Sequence, residues 1–454
     1  MSTLAKRFAA YSASLVFEDL APEVVHEVKR RIIDSLGCAM GALDAEAEPC
    51  LIARRVAGVS ATIQGATLLG TRTLAPPDWA AFANGCFVRY LDFNDTYLSL
   101  EPAHPSDNIA PMLAIAESSG ASGRDLIVAI TLAYEIQCRL CDAGSLRARG
   151  WDHVTYVALS TALGAARLLR LDAARAEHAL NIAGVQSAAL RQSRAGELSH
   201  WKAATVAAAA RQGVFAALLA REGMTGPSPM FEGVFGFEKL VAGQAIHLDF
   251  TQWDAAMILR TSMKFWPAEY HSQSAIHAAL TLRPAIGSVE NIASVQIRSH
   301  AAGVEIIGNE PEKWRPENRE TADHSLPYIV AAALTDGEIS TRQFAPERFR
   351  DPVLLDLLER VMVEKDDALT ALYPRAAANL ITVRLRDGRT LEQRCDYAPG
   401  SAAEPLSDAN LAAKFHRLAD PCLGAERAKE VIRRVHEIDA TGQVRELMQT
   451  LATA

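Results

Sequence analysis

The richest concentration of acid–base side chains lies in two neighbouring stretches, residues 91–97 (LDFNDTY) and 104–108 (HPSDN). They hold carboxylates, a hydroxyl, a phenol and an imidazole. Two prolines, at positions 102 and 105, would interrupt a helix here, which predicts a loop between helices. Loops on a rigid scaffold are common positions for catalytic side chains. The alternative is a solvated loop in which Asp95 or Asp107 caps a helix.

Three basic residues in other parts of the chain could take part in acid–base catalysis or in substrate binding. His153 stands just before a predicted helix, where it would act on a substrate or simply cap the helix and pack against Trp151. Lys202 precedes an alanine-rich run and is either functional or a solvated lysine. Arg191 could contact a substrate carboxylate, or it could be an ordinary arginine of a surface loop.

Lys264 has the more unusual surroundings, because Met263, Phe265 and Trp266 flank it. Partial desolvation by these side chains would lower the pKa of the lysine and make it a useful acid or anion anchor. The segment also lies at a predicted domain boundary, where clefts are common. Tyr328, at the end of residues 323–328 (DHSLPY), is a further candidate, with a core tyrosine as the alternative.

The composition excludes several classes of function. The chain has 454 residues, of which 49% are hydrophobic and 22% charged, as in globular proteins. A formal net charge of −8 gives no general attraction to nucleic acid or to an anionic membrane. We identify no membrane span and no signal peptide, and therefore expect a cytoplasmic protein.

The cysteines and short motifs predict no metal or cofactor. Seven scattered cysteines argue against a disulfide framework and fit a reducing compartment. Cys138 and Cys141 have C-x-x-C spacing but no further pair or histidine beside them, so we interpret them as buried structural thiols. The sequence contains no P-loop, G-x-G-x-x-G, G-x-S-x-G or H-E-x-x-H motif.

Hydrophobic periodicity divides the chain into two kinds of structure. Residues 1–262 have repeated helical patterns, including an alanine-rich helix at 203–221 that should lie at the centre of a bundle. From residue 263 alternating stretches at 294–298 and 381–385 predict strands, the second followed by a hairpin turn and a returning strand at 390–395. Predicted helices at 273–282 and 353–363 are interleaved with them. The pattern is helical again from Ser407.

Four motifs together resemble those of the MmgE/PrpD family. The motifs, in chain order, are residues 90–97 (YLDFNDTY), 104–108 (HPSDN), 264–273 (KFWPAEYHSQ) and 322–328 (ADHSLPY). The resemblance runs essentially from end to end. It implies a mainly α protein, with a large all-helical domain (1–262 with 403–454) and a smaller α+β lid domain (263–402). It also implies a homodimer, no metal and an active site between the domains.

The resemblance implies a set of site residues by direct matching of positions. The implied catalytic residues are Asp92, His104, His153, Lys202, Lys264 and Tyr328. Thr96 belongs to the matched pocket as well, and we expect it to bind substrate. We also expect Arg191 and His271 to bind substrate, although Arg191 is not among the matched positions.

Within the family, residues 104–108 and 267–273 most resemble the branch that removes water from the tricarboxylate 2-methylcitrate. The resemblance therefore implies this activity, with citrate as another candidate substrate and no cofactor. This reaction needs general acid–base groups and a positive field for three carboxylates. We expect Lys202, Lys264 and the histidines to bind the carboxylates, Asp92 to orient His104 for proton transfer, and Tyr328 to be a second acid–base group. Decarboxylation of cis-aconitate, epimerisation of iminodisuccinate and non-catalytic carboxylate binding are the alternatives.

Overall fold

A computed structural model describes residues 2–441 and 444–453 and shows a mainly helical protein with a small mixed sheet in its C-terminal region, which confirms the predicted fold class. The N-terminal part contains the helices α1 (Leu4–Ser14), α2 (Pro22–Asp44), α3 (Glu48–Gly58), α4 (Pro77–Tyr90), α5 (Ile109–Ser119), α6 (Gly123–Ala143), α7 (Val154–Leu168), α8 (Ala173–Gln186) and α9 (Trp201–Arg221). A two-residue hairpin, β1 (Ala66–Thr67) with β2 (Leu74–Ala75), lies between α3 and α4.

The alanine-rich helix α9 packs closely against α4 and α7. A Cβ atom added to Gly213 of α9 would lie 2.6 Å from the carbonyl oxygen of Ala158 on α7. A Cβ atom on Gly85 of α4 would lie 3.1 Å from Ala207 of α9. Small side chains therefore allow the close backbone approach that the sequence predicts.

One further property of α9 was not expected from the sequence. Among the described helices, α9 alone is long and apolar enough to cross a membrane, with a mean hydropathy of 1.4 over its best window. Two thirds of that window is buried inside the protein, as in the core helix of a bundle.

The smaller part of the chain combines helices with a four-stranded sheet. Its elements are α10 (Gln273–Ile286), β3 (Ile292–Ser299), α11 (Ala301–Ile307), α12 (Arg319–Ala322), α13 (Leu326–Asp336), α14 (Pro352–Leu358), β4 (Val361–Lys365), α15 (Asp367–Thr370), β5 (Asn379–Leu385) and β6 (Thr390–Cys395). The strand order is β4-β3-β5-β6, and only the β3–β4 pair is parallel. The predicted β5–β6 hairpin is confirmed, with Gly388 in its turn at a φ of 92°.

The helix predicted at 353–363 is wrong over its last residues. Helix α14 ends at Leu358, and Val361 to Lys365 form β4 instead. Val361 pairs with Val295 and Val363 with Ile297 of β3, so tertiary pairing decides the conformation of this short apolar segment.

The C-terminal helices return to the N-terminal bundle. They are α16 (Asp408–Leu423), α17 (Ala425–His436), α18 (Ile438–Thr441) and α19 (Val444–Thr450). The side chain of Phe415 on α16 contacts Gly37 of α2, and the Lys414 ammonium lies 2.7 Å from Asp34.

Buried apolar residues form two large clusters, one from residues 4–263 and 406–451, the other from 266–398. We therefore propose domain boundaries near 262 and 403.

Candidate active site

The loop after α4 carries the first group of candidate residues to the junction of the two clusters. The predicted loop is confirmed, because α4 ends at Tyr90 and α5 begins at Ile109. Thr96 exchanges two backbone hydrogen bonds of 2.8 and 2.7 Å with Ser262, which holds the loop against the segment that contains Lys264. Asp95 is structural: its carboxylate accepts hydrogen bonds from the Ser106 amide and the Tyr134 hydroxyl.

His104 is oriented by Asp95 and Thr96, not by Asp92. Its Nδ1 lies 2.6 Å from the carbonyl oxygen of Asp95 and 3.1 Å from the Thr96 hydroxyl. Since a carbonyl oxygen only accepts, Nδ1 carries the proton and Nε2 of the neutral ring has a free lone pair. The expectation that Asp92 orients His104 is therefore wrong, while Thr96 does lie at the site.

His153 has the same arrangement of its two nitrogen atoms. Its Nδ1 lies 2.9 Å from Asp152, and its buried Nε2 has no hydrogen-bond partner among the described residues. The rings of His104 and His153 are 5.5 Å apart between centroids. Burial, together with nearby cations, lowers the pKa of His104 well below its usual value, and burial lowers that of His153 to about 4. Both rings are therefore neutral near pH 7.

Lys264 is fully buried and lies directly beside Asp92. Its Nζ is 2.7 Å from the carbonyl oxygen of Asp92 and 3.0 Å from its Oδ2. Asp92 has a φ of 49°, an unusual value for a residue with a side chain, and such strain is often found at functional sites. Burial, followed by the charge of Arg89, lowers the pKa of Lys264 to about 7, which confirms the predicted direction.

Lys202, the second residue of α9, is also fully buried. Its ammonium lies 3.4 Å from Asp323, which also accepts one hydrogen bond from the His324 Nδ1 at 2.6 Å and forms an ion pair with Arg319 at 3.0 Å. Burial holds the pKa of Lys202 well below its usual value. Nε2 of His324 is 3.9 Å from Asp92, so this histidine connects the two lysines.

Tyr328 does not belong to this group of side chains. Its hydroxyl donates a 2.6 Å hydrogen bond to the carbonyl oxygen of Gln343, and its ring packs against Phe344 and Phe349 in the second apolar cluster. Burial raises the pKa of this phenol above its ordinary value. The core-tyrosine alternative is therefore correct, and Tyr328 is not positioned as an acid–base group.

Arg194, rather than the predicted Arg191, is the arginine that lies at the site. The interaction that the structure gives Arg191 is a backbone hydrogen bond to Gly150, whereas the guanidinium of Arg194 lies 2.9 Å from Asp152 beside His153. One buried nitrogen of Arg194, Nη2, has no hydrogen-bond partner in residues 2–441 and 444–453, so it can bind an anion.

Several site residues escaped the sequence analysis. Arg89 forms an ion pair with Asp92, and Asp323 and His324 precede α13 in the same motif as Tyr328. The sequence signal that could have identified them is that they are charged or polar residues among mostly apolar neighbours.

His271, which was expected to bind substrate, contacts Glu269: the Glu269 carboxylate lies 2.7 Å from the His271 Nδ1.

The thiols have no place in this arrangement. All seven cysteines are free, and Cys138 and Cys141 are fully buried, as their interpretation as structural thiols requires. Within the described part of the chain, no group of three or more His, Cys, Asp or Glu side chains is arranged to hold a metal ion.

Comparison with known protein families agrees with the two-part structure. The MmgE/PrpD N-terminal domain matches residues 6–248, and the MmgE/PrpD C-terminal domain matches residues 266–438. The chain belongs to the MmgE/PrpD family.

MmgE/PrpD proteins with curated names include several similar to this chain. The 2-methylcitrate dehydratase of Cupriavidus necator is 33% identical over 389 residues, which are 80% of this chain and 78% of the relative. The 2-methylcitrate dehydratase of Escherichia coli K12 is 31% identical over 386 residues, with the same coverage. The 2-methylcitrate dehydratase-like protein oryR of Aspergillus oryzae is 28% identical and covers 93% of this chain and 90% of its own length.

Proposed function

We propose that this protein is a hydro-lyase that removes water from 2-methylcitrate to give 2-methylaconitate by general acid–base catalysis without a cofactor. The observation that carries the proposal is the pair of neutral imidazoles, His104 and His153, beside a lysine with a pKa of about 7. The names of the MmgE/PrpD relatives support the choice of reaction and substrate.

The base must take a proton from the carbon next to a carboxylate. His104 is suited to this role because its Nδ1 is held by Asp95, its Nε2 lone pair is free, and it is more exposed than His153. A lowered pKa keeps the ring unprotonated at neutral pH, so the base is available for the first step.

The acid must give a proton to the departing hydroxyl. Neither histidine carries a proton on Nε2 in its neutral form, whereas the Lys264 ammonium, with a pKa of about 7, can donate one near neutral pH. The carbonyl oxygen of Asp92, 2.7 Å away, holds this ammonium in position. Lys264 is therefore the proposed acid.

The remaining cations would bind the carboxylates and stabilise the charge that develops when the proton leaves. Lys202 lies beside Asp323, and Arg194 lies beside Asp152, which also holds His153. Arg194 presents an unpartnered nitrogen for this purpose.

The defining experiment follows the absorbance of the unsaturated product after chelator-treated protein is mixed with 2-methylcitrate or with citrate. A rise with 2-methylcitrate is expected. A flat trace with both acids would overturn the dehydratase assignment, and consumption of cis-aconitate or iminodisuccinate would then identify one of the other MmgE/PrpD-type reactions. Binding of tricarboxylates without any turnover would indicate a carboxylate-binding protein.

We further propose that the protein is a homodimer, and its cytoplasmic location remains a prediction. The outer faces of α3 and α9 expose Ile52, Val56, Trp201 and Phe215, each at least 41% accessible. The first three of them line an apolar groove of about 390 Å³ together with Trp79. Exposed apolar patches of this kind commonly mark protein interfaces, which supports a second copy of the chain as the occupant.

A further inference from the structure

A second group of polar side chains lies beyond Glu269, away from His104 and His153. It consists of three stacked or tilted rings, His271, His300 and Tyr373. The His271 and His300 ring centroids are 5.1 Å apart, and those of His300 and Tyr373 are 4.9 Å apart. Both histidines are at most 1% exposed.

One nitrogen atom of each histidine ring has a hydrogen-bond partner, but the other nitrogen atom of each ring and the tyrosine hydroxyl have none among the described residues. Nδ1 of His271 lies against the Glu269 carboxylate, and Nδ1 of His300 accepts the amide proton of Gly303. In contrast, both Nε2 atoms and the Tyr373 hydroxyl are buried without a hydrogen-bond partner in the described structure. Since buried polar groups are almost always paired, three such atoms in adjacent rings indicate a site for a ligand.

The other domain adds a positive charge to this group. Arg147, in the loop after α6, has a buried Nη1 atom without a hydrogen-bond partner among the residues described. A carboxylate oxygen of Glu305 lies 3.9 Å from this atom. Glu305 belongs to α11, which begins directly after His300, so this contact places the guanidinium beside the segment that carries these rings. The charge of Arg147 also contributes, after burial and His271, to the lowered pKa of His300.

The unpaired hydrogen-bond donors of this group are suited to binding an oxyanion. Because Nδ1 of His300 accepts a hydrogen bond, its Nε2 carries the proton and donates. The Tyr373 hydroxyl and the Arg147 guanidinium are donors as well, whereas Nδ1 of His271 faces the Glu269 carboxylate. One cation with several neutral donors is suited to a single carboxylate.

Glu269 connects this group to the catalytic side chains. Against the effect of burial, His271, His324 and Lys264 hold the pKa of the Glu269 carboxyl below its ordinary range. His324 and Lys264 also surround Asp92 at the proposed active site. The Glu269 amide also donates a 2.9 Å hydrogen bond to the carbonyl oxygen of Asp323, so the two groups are direct neighbours.

We propose that Arg147, His271, His300 and Tyr373 form a subsite that binds one terminal carboxylate of the polycarboxylate substrate. The proposal rests on the proposed function for the class of ligand, but it concerns binding rather than turnover. It also assigns substrate recognition to both domains, since Arg147 belongs to the helical part and the three rings belong to the smaller part.

The test uses tricarballylate, a tricarboxylate that lacks the hydroxyl and cannot be dehydrated. Isothermal titration calorimetry of the full-length protein should show about tenfold weaker binding for Tyr373→Phe and for Arg147→Gln, since each removes a donor to a charged group. Arg149→Gln, an exposed arginine of the same turn, is the matched control and should leave the Kd unchanged.

A second ligand tests whether a terminal carboxylate is the group bound. Methylsuccinate has the tricarballylate skeleton with one terminal carboxylate removed. It should bind the unaltered protein about as weakly as the variants bind tricarballylate, and Tyr373→Phe should change its Kd little. The thermal unfolding temperature of ligand-free Tyr373→Phe should not fall, because the deleted hydroxyl has no protein partner.

Three results would overturn the subsite: no binding of tricarballylate at millimolar concentration, an unchanged Kd in both variants, or a Tyr373-dependent affinity for inorganic phosphate but not for tricarballylate. The outcome is separable from the proposed function. A protein that does not dehydrate 2-methylcitrate but binds tricarballylate through Arg147 and Tyr373 would retain the subsite and lose only the reaction.

Discussion

The rings of His104 and His153 lie 5.5 Å apart at an interplanar angle of 66°, and each is held through Nδ1 by an oxygen atom of the protein. Both Nε2 atoms are therefore left for a substrate. Two neutral bases so close together would repel each other if both were protonated, which helps to keep at least one of them free at neutral pH.

Replacement of His104 by alanine tests the proposed base. We expect kcat to fall by about 10²–10⁴-fold, the usual contribution of a positioned proton-transfer group. Because the ring is partly exposed and forms its hydrogen bonds at the protein side of the loop, thermal unfolding should change little. Near-normal turnover in this variant would eliminate His104 as the base.

The pH profile of kcat tests the proposed acid. The Lys264 ammonium must be protonated to donate, so the rate should fall as the pH rises through about 7. His104 must be unprotonated, and its lowered pKa puts the acid limb well below pH 6.5. Lys264→Arg, which keeps the charge but does not deprotonate, should lower kcat and remove the alkaline limb. An unchanged alkaline limb in Lys264→Arg would assign that limb to another group.

Tyr328→Phe distinguishes a core tyrosine from a catalytic one. Turnover should stay within about twofold of the unaltered enzyme, since the hydroxyl is bonded to Gln343 in the core. Loss of that buried hydrogen bond should reduce the free energy of unfolding by about 1–3 kcal/mol, measurable by urea denaturation. A loss of kcat by two orders of magnitude without a change in stability would restore Tyr328 to the active site.

A pair of neighbouring arginines provides a matched comparison. Arg194→Gln should raise KM about tenfold or more, because it removes a charged donor that lies beside His153. Arg191→Gln, three residues earlier in the same turn, should leave KM unchanged. Steady-state kinetics of both variants measure these effects, and the reverse order would identify Arg191 as the residue that contacts the substrate carboxylate.

The proposed dimer can be tested on α3. Val56, 47% exposed in the apolar groove, can be changed to glutamate without disturbing buried contacts. Light scattering after size-exclusion chromatography should give twice the mass of the chain for the unaltered protein and a monomer for Val56→Glu. A dimer that persists in Val56→Glu would place the interface on another surface.

Elements with strong local sequence signals could be predicted, and elements that depend on long-range pairing could not. Long amphipathic or alanine-rich stretches such as α9, and the turn around Gly388, have strong local signals, so their structure was predictable. The segment from Val361 to Val363 is short and apolar, and only its pairing with β3 makes it a strand. The lowered pKa of Lys264 followed from its apolar neighbours in the chain, which are also its neighbours in space.

By itself, the sequence determined the family, the mainly helical fold with a small mixed sheet, and the motifs from which the site is built, because these depend on local composition and on residue order. Only the tertiary structure decided which side chains of each motif face one another. In the folded protein Asp323 and His324 lie at the site and Tyr328 lies in the core. Arg194, and not Arg191, lies beside Asp152. These choices depend on the direction of a side chain from a turn or helix end, which is set by packing between segments far apart in the chain.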